Sequence, residues 1–393
     1  MKKIVLGISV FVLTAGVIAS YPLIQTTAAA KPIMNDPPAH PVSMIQKQPL
    51  IQLAILLDTS SSMDGLINQT REQLWQVVNQ FAKSKKNGIT PKLEVAVYEY
   101  GNAGLNYENG YIRQVTALTS ELDAVSDGLF KLETNGGDEY CGYVIKTATN
   151  ELNWSRDPDT VKMIFIAGNE PFTQGPVSFQ QAITEAKHKG ITVNTIHAGN
   201  ANSQELDTWK HGAVLAGGNF MTIDQNVAVA HYQAPQDKRL AELNAKLNQT
   251  YVPYGTQGQQ KAERQARMDS KSQAISSGLL AKRTISKASK MYSNEEWDLV
   301  DAVKDGKVDL DKIDKKAMPA PMRKLDKSEQ KSYVAKKAKE RRDIQEEIGK
   351  LAKQRLEFIA EKKKQAGTDN SNTMEQALSE AVTSQAKSKG YSF

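Results

Sequence analysis

The sequence predicts an α/β fold in which a doubly wound, mostly parallel sheet at residues 50–232 precedes a largely α-helical C-terminal region. Three observations carry this. From 50 to about 232, short unbroken apolar runs alternate with segments of helical period, as in a parallel sheet covered on both faces. The first run, Leu53-Ala54-Ile55-Leu56-Leu57, stops at Asp58-Thr59-Ser60-Ser61-Ser62 and becomes a helix. After about 233 the apolar strands vanish and Lys, Arg, Glu, Gln and Ala dominate.

Taken in order, strand one is Ile51 to Leu57, and a helix follows from about Asp64 to Lys85. Leu66, Leu74, Val77, Val78 and Phe81 mark its buried face, Asp64 is its expected cap, and Asn87-Gly88 ends it. Leu93 to Tyr100 is β-branched and aromatic, hence a strand, and Tyr111 to Thr116 is a short strand after a Gly/Asn loop. Ser120 or Thr119 caps a helix running to about Leu132. Tyr140 to Leu152 is a helix, Val161 to Ala167 a second unbroken strand, and Ser178 to Lys189 a helix ended by Gly190. Ile191 to Ala198, Ser203 to Ala216 and Gly218 to Ile223 complete the alternation as strand, helix and strand. Three loops, 58–64, 133–139 and 168–174, should then gather at one edge, where open parallel sheets bind ligands.

In the second half, Gln236 to Gln249 and Gln257 to Ala274 read as helices, and Tyr292 to Trp297 opens a short one through Val303. Region 233–325 is helical and polar, and Asp326 to Gln365, within 326–366, is one long charged helix. Its narrow stripe of Val334, Ala338, Ile344, Ile348, Leu351, Leu356 and Ile359 suits a coiled coil or a helical hairpin, and so oligomerisation. Residues 367–393 form a polar tail with a helix from Met374 to Ala386.

The N-terminus has the form of an export signal. Lys2 and Lys3 precede the apolar run Ile4 to Ala19, and Ala28-Ala29-Ala30 offers small residues for cleavage. Residues 1–30 are read as a signal peptide or N-terminal anchor, and 31–49, with Pro32, Pro37, Pro38, Pro41 and Pro49, as a stiff linker. Cys141 is the single cysteine among 393 residues, which excludes a disulfide-stapled scaffold. Export, to the periplasm or the cell envelope and exterior, is the expectation. The net charge of +6 permits contact with an anionic surface. Glutamates are mixed among the Lys/Arg runs, so no nucleic-acid partner is expected.

Asp58, Ser60 and Ser62 place a carboxylate and two hydroxyls within five residues. These are hard oxygen ligands, suited to Mg²⁺ or Mn²⁺, or to Ca²⁺, rather than to zinc or copper. Ser60 and Ser62 can equally cap the following helix. With the strand before it and the helix after it, Asp58-x-Ser60-x-Ser62 resembles the metal-ion-dependent adhesion site of von Willebrand factor type A domains. The resemblance covers residues 50 to 225 and implies a Rossmann-like sheet and a divalent cation held by both serine hydroxyls. It also implies an aspartate acting through water, a threonine from a second loop, an aspartate from a third, and one position open to a partner's acidic side chain.

This sequence departs from that pattern. Gly136-Gly137 is followed by Asp138 where the family has threonine, with Thr134 just upstream as an alternative. Gly168 stands at the usual third-loop aspartate, which shifts that role to Asn169 or Glu170. The expected metal set is therefore Asp58, Ser60, Ser62 and Asp138, with Thr134, Asn169 and Glu170 as alternates.

Other candidates carry less. Glu99 reads as an exposed strand terminus, or as a neighbour of the same edge. Asp301, Asp305, Gly306 and Asp309 suggest half a calcium loop, but Val303 and Lys312 stand where oxygen ligands are needed. His40, His188, His197, His211 and His231 have no zinc spacing, and Cys141 reads as a small core residue. No phosphate loop or catalytic triad spacing occurs. The expected function is a non-enzymatic, exported, metal-dependent binding or scaffold protein. The alternatives are a structural protein whose basic helices meet an anionic envelope surface, and a subunit of an envelope enzyme complex. The C-terminal half, including Trp297 to Val303, also resembles the helical extension of a group of bacterial A-domain proteins, which implies no specific activity.

Overall fold

The computed structural model describes residues 48–61, 63–200, 202–224, 232–365 and 374–393. The signal-peptide expectation and most of the linker therefore lie outside the described residues. Among those described, no helix is long and apolar enough to cross a membrane.

Six strands form one sheet in the order β3-β2-β1-β4-β5-β6. They are β1 (Leu50–Asp58), β2 (Lys92–Tyr100), β3 (Arg113–Thr119), β4 (Val161–Gly168), β5 (Thr192–Ala198) and β6 (Phe220–Ile223). All neighbours pair in parallel except β3, which runs antiparallel along the outer edge of β2. The strand order reverses direction at β1, so the carboxyl ends of β1, β2 and β4 meet over a crevice there.

The unbroken apolar runs follow from burial on both faces, because side chains alternate with period two. Ile51, Leu53 and Leu57 enter one core with Val95, Val97, Met163 and Phe165. Ala54 and Leu56 enter the other with Ala96, Tyr98, Ile164 and Ile166. The second face is closed by α3 (Cys141–Glu151), α4 (Phe179–His188) and α5 (Leu206–Ala216). The first is closed by α1 (Asp64–Lys83) and α2 (Leu122–Phe130).

The helical half is α6 (Gln236–Asn248), α7 (Gly258–Ile275), α8 (Ser277–Lys287), α9 (Leu299–Lys304), α10 (Lys327–Gln365) and α11 (Met374–Ser388). It packs on the outer side of α1 and α2, and residues 47–393 form one compact unit. Leu240, Leu243, Leu247, Leu279, Tyr292 and Trp297 belong to the same core as Leu74, Trp75 and Phe81 of α1.

Several expectations are corrected here. The 39-residue helix α10 exists, and Val334, Ala338, Ile344, Ile348 and Leu351 of its apolar stripe pack within its own chain, where α10 meets α6, α8 and α9, while Leu356 is exposed. The helix expected in the tail is present as α11, but the tail is not merely polar: Ala381, Val382, Ala386 and Tyr391 are buried, and Ser392 pairs with Lys85. Helix α8, which the sequence reading passes over, is capped by Ser276 and is buried along most of its length. Asp64 does not cap α1: the cap position is Met63, and Asp64 lies in the first turn, where its charge suits the helix dipole. At α2 the cap position is Glu121, although the Thr119 hydroxyl accepts from its N–H at 3.1 Å. The aspartates of the half calcium loop have other duties: Asp301 accepts from Arg341 at 2.8 Å, Asp305 from the Ser293 hydroxyl at 3.1 Å, and Asp309 from the Asp311 N–H at 3.0 Å.

Candidate metal-binding edge

Asp58 ends β1, and its Oδ1 accepts from the backbone N–H of Ser60 at 2.7 Å, closing a tight turn in which both residues are buried. The 133–139 loop is laced to this turn, with Asn135 N–H donating to the Thr59 carbonyl at 3.0 Å. That lacing delivers Glu139 rather than Asp138. Glu139 is buried beside Asp58, while Asp138 is exposed and accepts from the Tyr140 hydroxyl at 3.1 Å. The Glu139 backbone is held by Gln174 of the third loop, whose Oε1 accepts from it at 2.7 Å.

Two glycines make room for the carboxyl pair. A Cβ on Gly101, which has φ +78°, would lie 2.8 Å from Glu139 Cγ and 2.9 Å from Asp58 Oδ1. A Cβ on Gly168 would lie 2.4 Å from the Tyr100 hydroxyl and 3.2 Å from Asp58 Oδ2. The Tyr100 hydroxyl, donating to the Ala167 carbonyl at 3.0 Å, thus occupies the start of any side chain at 168. The third-loop carboxylate is absent for a steric reason, and Glu139 supplies a second carboxylate from the second loop.

The remaining expected residues are dispersed. Thr134 donates its hydroxyl to Asp64 at 2.8 Å and is tied to the start of α1, not to Asp58. Asn169 is half-buried at the end of β4. Glu170 is exposed, its carbonyl accepts from Trp209 Nε1 at 2.8 Å, and its charge is felt at Asp58 and Glu139. Ser62 lies outside the described residues. Glu99 is buried rather than exposed, because Arg113 of β3 pairs with it and Thr59 donates to it at 3.3 Å. Cys141 is fully buried against Tyr100, and burial pushes its thiol well above the usual range.

Burial raises the Asp58 carboxyl to about 6, against the lowering influence of Glu139 and Ser60 beside it. Burial, then the hydrogen bond and charge of Asp58, push Glu139 up to about 10. Two buried carboxyls whose charges act on each other hold a proton between them unless a cation takes its place. Asp58 Oδ2, Ser60 Oγ and Glu139 Oε2 are all buried, and none has a hydrogen-bond partner of good geometry among the described residues. Buried oxygens left unsatisfied are costly, on the order of 1–3 kcal/mol each. Three together, all hard oxygen atoms, fit a Mg²⁺, Mn²⁺ or Ca²⁺ ion. Among the described residues no cluster of three His, Cys, Asp or Glu side chains is poised for a metal, so a cation here would need the hydroxyl of Ser60 beside the two carboxylates.

The family model of the von Willebrand factor type A domain matches residues 52–228. Those residues are a von Willebrand factor type A domain. Domains of this family commonly mediate binding between proteins. Among solved structures, the A domain is similar to a von Willebrand factor type A protein from Catenulispora acidiphila, at 16% identity over 45% of this chain and 39% of that one, with a TM-score of 0.35. It is similar to proximal thread matrix protein 1 of the mussel byssus, described with a zinc-occupied MIDAS motif, at 14% identity over 46% and 43% of the chains, with a TM-score of 0.35. It is also similar to the vWF domain of a type V pili tip protein from Porphyromonas gingivalis, at 11% identity over 45% and 90%, with a TM-score of 0.34. The chain thus spans well under half the length of the first two. A comparison with curated protein sequences gives no match.

Glu139 is the residue that the sequence reading missed. Spacing from Gly136-Gly137 favours Asp138, and only the backbone path of the loop tells the two adjacent acids apart.

Proposed function

We propose that this is a non-enzymatic, exported binding protein whose A domain grips a protein partner through a divalent cation, Mg²⁺ or a close relative. The observation that carries the reading is the convergence of unsatisfied, buried Asp58 Oδ2, Ser60 Oγ and Glu139 Oε2 at the carboxyl edge of the sheet. Asp58, Ser60 and Glu139 would hold the ion, which when bound supplies a positive charge able to take one oxygen ligand, such as an acidic side chain, from the partner. Asp58 and Glu139 exclude a bare negative charge until the cation is there. Tyr100 and Gly101 keep the pair in place. The export part of the reading rests on Lys2, Lys3 and the apolar run Ile4 to Ala19.

The test is the melting temperature of the chain in Mg²⁺, Mn²⁺, Ca²⁺ or EDTA. A ligand at 100 times its dissociation constant stabilises by about 2.7 kcal/mol, which is a shift of several degrees. The shift should vanish in Asp58→Ala/Ser60→Ala and in Glu139→Ala, and survive in Asp138→Asn. No shift in the unaltered protein at millimolar cation would sink the reading.

A further inference from the structure

The loops at the carboxyl edge of the sheet carry a charge opposite to that of the whole protein. The chain has 50 Lys and Arg and a net charge of +6. Yet loops 58–64, 101–112, 133–140 and 169–178 contain seven carboxylates and not one Lys, Arg or His. The loops 58–64, 101–112 and 169–178 follow β1, β2 and β4, which run parallel, so they leave the sheet on one side. The fourth is laced among them through Asn135, whose N–H donates to the Thr59 carbonyl at 3.0 Å and whose carbonyl accepts from Ala103 at 3.4 Å. Asp58 and Glu139 are buried, whereas Asp64, Glu108, Glu133, Asp138 and Glu170 are exposed.

The charge balance limits what can dock. A divalent cation between Asp58 and Glu139 would be neutralised by them, and Glu170, whose charge acts on both, with the exposed Asp138 of the second loop, leaves the surroundings negative. A partner surface that is acidic overall would be repelled, and like charges at an interface cost several kcal/mol. Tyr107 is 69% exposed in the same edge, and the rings of Tyr111 and Tyr140 meet at a tilt of 58° with centroids 5.9 Å apart. Aromatic faces of this kind receive Lys and Arg side chains. We propose that this edge recognises a lysine- or arginine-rich protein segment, which presents its metal-seeking oxygen from within a cationic surround. This rests on the metal-dependent reading above and specifies its partner.

The test uses the full chain and three short labelled peptides, each with one central Asp, flanked by Lys-Gly, Ser-Gly or Glu-Gly repeats, followed by fluorescence anisotropy in Mg²⁺ and in EDTA. The lysine peptide should bind about tenfold tighter than the serine peptide in Mg²⁺, and the glutamate peptide weakest, as complementary rim charge dictates. Its affinity should fall between about 0.01 and 0.1 M salt, as the Debye length shrinks from roughly 30 to 10 Å. Glu108→Gln/Glu133→Gln should weaken it by about threefold or more, the worth of two exposed ion pairs, while the melting shift with Mg²⁺ stays. Replacing the central Asp by Asn, or Mg²⁺ by EDTA, should weaken it as well. Equal binding of the three peptides, or preference for the glutamate one, overturns the proposal even if the Mg²⁺ shift is present. A lysine preference indifferent to both EDTA and the central Asp overturns it as well, since the edge would then act as a polyanion alone. Loss of the Mg²⁺ shift itself marks failure of the metal reading instead.

Discussion

At the scale of single residues, the site turns on an exchange between positions 100, 139 and 168. Tyr100 fills the space into which a side chain at 168 would grow, and Glu139 brings in the carboxylate that Gly168 cannot. This predicts a coupled pair. Gly168→Ala places a methyl 2.4 Å from the Tyr100 hydroxyl and so must displace it or the strand. The expected cost is about 1–3 kcal/mol, as for other overpacked cores. In a Tyr100→Phe background the same change should cost less, because the clashing oxygen is gone. Urea unfolding of the four proteins measures the coupling. Equal cost in both backgrounds would show that Tyr100 does not set the identity of residue 168.

At the scale of elements, α8 is the piece on which the two halves of the chain are joined, and its chemistry is polar. Arg283 is fully buried and donates to Asp123 of α2 and to Asp269 of α7, both at 2.6 Å, with its guanidinium 4.7 Å above Trp75 of α1. Lys287 donates to Asn244 at 2.8 Å, Asn248 at 2.6 Å and Asp269 at 2.9 Å. Every member is satisfied, which is what makes burial of such charges tolerable. Asp269→Ala would leave two buried cations short of their shared anion and should destabilise by about 3–5 kcal/mol. Burial alone would raise the Asp269 carboxyl, but Lys287 and Arg283 outweigh it and hold it well below the usual range. A depressed acid contributes stability that is present above its unfolded value and lost as pH falls through the folded one. The Asp269 contribution should therefore persist at about pH 4, the ordinary aspartate range, and disappear only in strong acid. Comparing Asp269→Asn with the unaltered protein between neutral and acid pH measures it. This element also shows where sequence reading stops. The strands were legible because Ile51, Leu53 and their neighbours form runs that only a doubly covered sheet explains, and Asp58-x-Ser60-x-Ser62 was legible from its place between strand and helix. Helix α8 was not, because Arg283 and Lys287 read as solvent-facing until their partners, 14 to 160 residues away in sequence, are brought to them. The same limit hid Glu139, since choosing between adjacent acids depends on a backbone path, not on composition.

At the scale of the whole molecule, the A domain and the helical half share one core, and this decides how the chain unfolds. Helix α1 is buried on both sides: Leu74, Trp75, Val78 and Phe81 belong to a core that also contains Leu240 and Leu247 of α6, Leu279 of α8, and Ala381 and Val382 of α11. Ser286 donates to Asn79 at 2.8 Å across the same contact, and Gln385 of α11 donates to Asn194 of β5 at 2.6 Å. An A domain cut at 232 would thus present a large apolar helix face to water, and patches beyond a few hundred Å² promote association. The fragment 48–232 should aggregate or bind hydrophobic dyes, whereas the full chain should not. In the full chain, heat or urea should produce one transition. Trp209 reports the far face of the sheet, Trp75 the junction and Trp297 the helical half, and all three are buried. Single-tryptophan variants that retain one of these in turn should give coincident midpoints, as a cooperative unit requires. A separate, earlier transition seen only by Trp297 would mean that the helices are a detachable layer, and a soluble 48–232 fragment with a sharp transition of its own would say the same. If the midpoints coincide, a cation bound at Asp58 must raise all three together, because binding at any point of a cooperative unit stabilises the whole of it.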